Sequence, residues 1–289
     1  MKTMNVKVIA TAWLFGLLAV AAHAQGPALD QAERLYQQTG YQAALAILKG
    51  QPQTPAVLFL TGRCWYFAGD FKKAVETLEK ATAADPRNAT YENWLGKAWG
   101  RRAENANVFQ APGFASRARE AFEKAVALDS THKEALADLF QYYLEAPGLL
   151  GGGLDKAKGL LARIMQADPA EYHTALAQIA EKTKDYNAAE TQLRRAASLA
   201  PRLAGKVADL ARFLARRGRE KEADAVLADA ARRWPDDRGL LFAQAEVYIR
   251  DKRNTERART LLARYLTMPL TPDDPPRQDA EKLLRQTGG

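Results

Sequence analysis

Residues 55–88 read PAVLFLTGRCWYFAGDFKKAVETLEKATAADPRN, and this stretch decides the fold. Leu58, Gly62 and Trp65 fall at helical spacing on one stripe, Gly69-Asp70-Phe71 makes a turn, and Ala74, Leu78 and Ala81 form a second stripe facing the first. Asp85-Pro86 stops the second helix. Small residues at Gly62, Ala74 and Ala81 let the two helices cross closely, where larger side chains would force them apart. One such hairpin cannot bury its apolar face alone and needs neighbours of its own kind.

The rest of the chain supplies them at a period of about 34 residues. Gly62 returns as Gly96. Leu176, Ala177, Ala189, Leu193 and Ala196 return as Leu210, Ala211, Ala223, Leu227 and Ala230, and Pro201 returns as Pro235. The spacing predicts seven hairpins, at residues 28–52, 55–88, 89–132, 133–169, 170–203, 204–237 and 238–270, the first and last imperfect. In 271–289, Thr271-Pro272-Asp273-Asp274-Pro275-Pro276 reads as an extended stop and helix start. Ala280, Leu283 and Leu284 then give the apolar stripe of a capping helix, which repeat arrays require for solubility.

The pattern resembles the tetratricopeptide repeat (TPR) family, in an exported bacterial type. Besides residues 55–88, the resemblance rests on Leu95-Gly96 and Trp99; on Leu139, Tyr143, Ala157 and Asp168-Pro169; on Leu176-Ala177, Asp185-Tyr186, Ala189, Ala196 and Pro201; and on Leu210-Ala211, Gly218, Ala223, Ala230 and Pro235. It implies an all-α, right-handed superhelical solenoid of about seven helix-turn-helix repeats. It also implies that the first helix of each hairpin lines a concave groove. The groove residues are then Phe59, Arg63, Tyr66, Asn93, Lys97, Arg101, Gln141, Gln178, Lys182, Arg212, Arg216, Phe242, Glu246 and Arg250. That set is basic, with amides and aromatics between the charges, and suits an extended peptide bearing carboxylates. Phe59, Tyr66, Trp94 and Phe242 are its candidate anchors. The Lys/Asn arrangement of the family's carboxylate clamps is not reproduced, because Phe59 and Arg63 occupy its first two positions.

Two neighbouring units break the period. Trp65 to Ala74 is nine residues, but Trp99 to Ala118 is 19 and Tyr143 to Ala157 is 14. Both extra stretches, 101–114 and 145–153, fall between the helices of a hairpin, so they are expected to project from one edge and to touch or nearly touch. Phe109, Phe114, Leu149 and Leu150 are too apolar for spacers and are expected to pack on each other or on a partner. Gly151-Gly152-Gly153 lacks the Gly-Lys-Ser/Thr ending of a phosphate loop.

Residues 1–24 read as an export signal: Lys2 and Lys7, an apolar run over 8–22, and small residues at Ala22 and Ala24, with cleavage expected after Ala24. A periplasmic or secreted location follows as an expectation, with no later membrane span. The formal charge is +8, of which the leader's two lysines account for two, leaving +6. In an exported protein that excess points to helix faces or an anionic partner, not to nucleic acid. The lone cysteine, Cys64, sits among aromatics and reads as a buried residue.

Catalysis is argued against by inventory. Beyond the leader the chain has two histidines, His132 and His173, three serines, Ser116, Ser130 and Ser198, and no nucleophile elbow or paired-histidine metal motif. No cofactor or metal is expected. The sequence therefore reads as a non-enzymatic envelope scaffold that binds a protein or peptide, possibly acidic in character. The alternatives are a self-associating structural protein and the recognition subunit of an envelope enzyme.

Overall fold

The computed structural model describes residues 26–199 and 204–288. The expected leader and Pro201 lie outside the described residues. Among those residues the chain is all α, in successive antiparallel pairs. The first three pairs are α1 (Pro27–Gln37) with α2 (Tyr41–Leu48), α3 (Pro55–Phe67) with α4 (Phe71–Ala84), and α5 (Ala89–Glu104) with α6 (Ala111–Leu128). In the fourth, α7 (Lys133–Glu145) is followed by a second helix broken at Leu160 into α8 (Leu154–Gly159) and α9 (Leu161–Ala167). Then come α10 (Pro169–Lys182) with α11 (Tyr186–Leu199), α12 (Ala204–Arg216) with α13 (Glu220–Arg233), α14 (Arg238–Arg250) with α15 (Thr255–Thr267), and a terminal α16 (Arg277–Gln286). The second helix of a pair packs on the first helix of the next, which gives a core running along the stack.

The close crossings have a measurable cause. A Cβ at Gly62 would lie 2.6 Å from Leu78 Cγ, and one at Gly96 would lie 2.5 Å from the Phe122 ring. Ala177 and Ala211 hold the same place against Leu193 and Leu227, all four buried. Turns and caps are equally local. Gly69 takes a positive φ of 81° that an L side chain resists. Thr54, Asp70, Asn88 and Asp237 accept from backbone N–H groups three residues on, at 3.3, 3.0, 3.2 and 2.9 Å. Each cap is worth about 1 kcal/mol. His132 caps α7 by accepting from Ala135 N at 3.3 Å through Nδ1, so its Nε2–H donates to Thr90 Oγ1, 3.0 Å away. Cys64 is buried, and burial pushes its thiol up to about 12, so it stays a protonated packing residue.

The first period-breaking stretch is not the loop that the spacing suggested. Residues 101–104 are the last turn of α5, and residues 111–114 open α6. The extra residues lengthen both helices because their rings pack. Phe114 lies 5.3 Å from Trp99, and Arg102 stands 4.2 Å from Phe114 and 4.9 Å from Trp99. The remaining bend is held by Asn107 Oδ1, which accepts from the N–H groups of Phe109 and Gln110, both at 3.1 Å.

The second stretch folds back on its own hairpin. Tyr142 Oη donates to Leu150 O at 2.8 Å, and Gly153 N donates to Tyr143 O at 2.7 Å. Its glycines answer to space, because a Cβ at Gly152 would sit 1.9 Å from Ala146 O. It docks on α6 through Arg119, with no bond between the two loop tips among the described residues. Phe109 and Leu149 are 91% and 96% exposed, while Phe114 and Leu150 are partly covered.

Candidate functional site

Helical periodicity puts Phe59, Arg63 and Tyr66 on one face of α3, and Thr90, Trp94 and Lys97 on the matching face of α5. Packed side by side, with Tyr36 from α1 behind them and His132 and Glu134 beyond, these faces line a cleft of about 500 Å³. Phe67 completes its aromatic floor. Phe59 stacks on Tyr91 at 4.3 Å, and Tyr66 meets Trp94 edge-on at 5.5 Å.

Arg63 is the centre of this arrangement. Its guanidinium lies 4.2 Å from the Tyr36 ring, 5.0 Å from Trp94 and 5.3 Å from Phe59. Stacking on rings holds the planar group without using its in-plane donors. Its nearest carboxylate, Glu33, is 3.9 Å away, beyond hydrogen-bond reach, and its buried Nε has no acceptor. Behind it Tyr36 is fully buried against Arg63, and burial raises its ionisation well above the usual tyrosine range. A permanent cation held in an aromatic wall, a fifth of its side chain exposed and no carboxylate within hydrogen-bond distance, is equipped to take a carboxylate or a carbonyl from a ligand.

The other predicted groove cations are committed internally, which corrects the expectation of a free basic strip. Lys97 bonds Glu134 at 3.3 Å and Asp138 at 3.4 Å. Burial opposes its charge, but those two carboxylates outweigh burial and raise its pKa. Lys182 pairs with Glu145 at 3.3 Å, Arg212 with Glu246 at 2.7 Å and Arg216 with Glu181 at 2.7 Å. Each of these pairs joins the first helices of consecutive hairpins. Arg101 and Arg250 are taken by the nearby Glu104 and Asp251.

Two more assignments are corrected. Asn93 is fully buried and donates to Asp138 Oδ2 at 3.0 Å, so it is a strut under Lys97. Phe242 is only 9% exposed and packs on Tyr265 at 5.6 Å, in the core of the last hairpin. Gln141 is exposed and Gln178 half-buried, both away from the cleft. Sequence reasoning missed Tyr36, Phe67, Thr90, His132, Glu134, Pro272 and Asp273 as lining residues. Thr90 stands four residues before Trp94, a signal that could have been used; the last two come from the far end of the chain and carry none.

Both described histidines are hydrogen-bonded. His132 is occupied as described, and His173 Nδ1 lies 2.6 Å from Gln192 Oε1. No group of three or more metal-ligating side chains occurs among the described residues. No helix among them is long and apolar enough to cross a membrane.

Comparison with known proteins agrees with the helical-repeat fold. Residues 62–88 and 170–203 match the sequence model of the tetratricopeptide repeat family. No curated protein matches the chain significantly. The fold is similar to the crystal structure of a tetratricopeptide repeat protein from Parabacteroides merdae, with a TM-score of 0.58 and 15% identity over 91% of this chain and 98% of that one. It is also similar to a thermophilic TPR protein of Thermus thermophilus, with a TM-score of 0.54 and 23% identity over 65% of this chain and 97% of that one. A third similar structure belongs to the APC/C hetero-tetramer Cut9–Hcn1, with a TM-score of 0.50 and 15% identity over 90% of this chain and 48% of that one. The described residues form an all-α, TPR-like helical repeat structure, and two stretches of the chain match the family's sequence model.

Proposed function

We propose that this chain is a non-enzymatic scaffold that binds a protein partner, gripping an extended peptide segment of it in the cleft around Arg63. The observation that carries the reading is the set of Arg63 guanidinium donors, held on the rings of Tyr36, Trp94 and Phe59 at the cleft with the nearest carboxylate 3.9 Å away. An extended peptide presents carbonyls and carboxylates to such donors, while its side chains lie on the rings of Phe59, Tyr66 and Trp94. The similar Cut9–Hcn1 assembly is itself a complex between proteins. Lys2, Lys7, the apolar run and the small residues before Gln25 support export, and hence a partner in the cell envelope.

The test is affinity capture from an envelope extract with the chain, its Arg63→Ala variant and its Phe109→Ser variant. A partner lost with Arg63→Ala and kept with Phe109→Ser supports the cleft. The converse moves the site to the projecting edge, and capture of the chain's own copies alone favours a self-associating structural protein.

A further inference from the structure

One wall of the cleft comes from the opposite end of the chain. Pro272 and Asp273, more than 170 residues beyond Lys97, line the same space as Arg63 and Trp94. They form the apex of a turn that is tightly anchored on both sides. Thr271 donates to Asp274 Oδ2 from its backbone N and its hydroxyl, both at 2.8 Å, and Asp274 pairs with Arg238 at 3.1 Å. Tyr265 Oη donates to Pro275 O, and Arg277 donates to Leu266 O at 2.9 Å. The prolines fix the backbone further. The apex itself is free: Asp273 is exposed and has no hydrogen bond or ion pair among the described residues. A preorganised turn thus presents a proline and an unpaired carboxylate to the cleft that holds the Arg63 guanidinium.

We propose that this apex is an internal stand-in for the partner's peptide, so that the cleft selects a segment in which an acidic residue follows proline, and that segment competes with Asp273 for Arg63. The inference rests on the cleft being the partner site. The charges support it. Glu134 and Asp138 are spent on Lys97 and Glu33 stands 3.9 Å from Arg63, so Arg63 and Asp273 are complementary groups lining one space. The two walls are separated in the chain by the intervening hairpins. In a solenoid a small rotation at each interface accumulates along the stack, so the gap between apex and cleft is adjustable without breaking the core. A tethered competitor acts at an effective concentration on the order of millimolar, so it screens out weak ligands and yields to a partner with further contacts.

The experiment uses a labelled synthetic peptide copying residues 270–277, and the same peptide carrying Asp273→Asn, titrated against the full chain by fluorescence anisotropy. The expected result is weak binding to the unaltered chain and binding about threefold tighter to its Asp273→Asn variant, the gain from removing one exposed charge. Binding should be about tenfold weaker to Arg63→Gln, which loses a charged donor, and the substituted peptide should bind less well than its parent. Asp273 is exposed, so its variant folds regardless of Arg63's packing role. Unchanged or weaker peptide binding on Asp273→Asn overturns the competitor. Failure of the peptide to bind any form overturns the proline–acid class. In either case, Arg63-dependent capture of a partner leaves the cleft reading standing, and only its loss removes both.

Discussion

Arg212 donates from Nε to Glu246 across 2.7 Å, and the two stand on the first helices of neighbouring hairpins, 34 residues apart. The same relation links Arg216 to Glu181 and Lys182 to Glu145. These three groove cations are therefore struts between repeats. Arg212→Glu sets a new carboxylate against Glu246 and Asp209 and should cost about 1 kcal/mol of stability. Adding Glu246→Arg should restore most of it. Thermal melting of the single and double variants checks this, and an unchanged single variant would mean the pair holds nothing.

Glycine positions give a paired test of the hairpin crossings. Gly62→Ala and Gly96→Ala place a methyl within 2.6 Å of Leu78 and 2.5 Å of Phe122, so overpacking of about 1–3 kcal/mol exceeds the helix propensity gained. Gly100, also inside α5, has nothing within 4 Å of its Cβ direction. Gly100→Ala should stabilise by up to about 1 kcal/mol. Chemical denaturation should move the midpoints of these variants in opposite directions.

Asp70 caps α4, and its side-chain and backbone bonds from Lys73 hold its pKa below the ordinary 3.8. A depressed carboxylate contributes stability that is present above its unfolded pKa and lost as pH falls through the lower folded value. Asp70→Ala should cost about 1 kcal/mol at neutral pH. Melting scans from pH 7 down to below about 3 should show that cost shrinking, and a constant cost would assign the effect to packing.

The projecting edge divides into tips and supports. Phe109→Ser and Leu149→Ser change side chains that are almost fully exposed, and should leave stability within about 0.5 kcal/mol. Phe114→Ala removes a ring packed on Trp99 and Arg102 and should cost about 2 kcal/mol. Equal losses at Phe109 and Phe114 would show that the edge folds as one unit.

The repeat fold was legible because its determinants are local and periodic. Gly62, Leu78 and Ala81 state a crossing within one hairpin, and their echoes state its repetition. The site was legible in part. Phe59, Arg63 and Tyr66 share a face of α3 by helical spacing, Lys97 lies on the matching face of α5, and the structure brings them to one cleft. What could not be read is which charges remain open, because Lys97, Arg212 and Arg216 are neutralised by acids a whole repeat away. Residues 101–104 and 111–114 were misread as loop because a lengthened hairpin and an insertion disturb the period alike. Pro272 and Asp273 reach the cleft only through the cumulative path of the solenoid, to which no short sequence pattern corresponds.

The most direct test of the central claim places a photoreactive benzoylphenylalanine at Tyr66 in one variant and at Phe109 in another, and irradiates each with its captured partner. The cleft reading predicts a cross-link from position 66 and none from position 109, because Tyr66 lines the Arg63 cleft and Phe109 stands on the projecting edge. A cross-link from 109 alone would contradict it and place the partner on the edge.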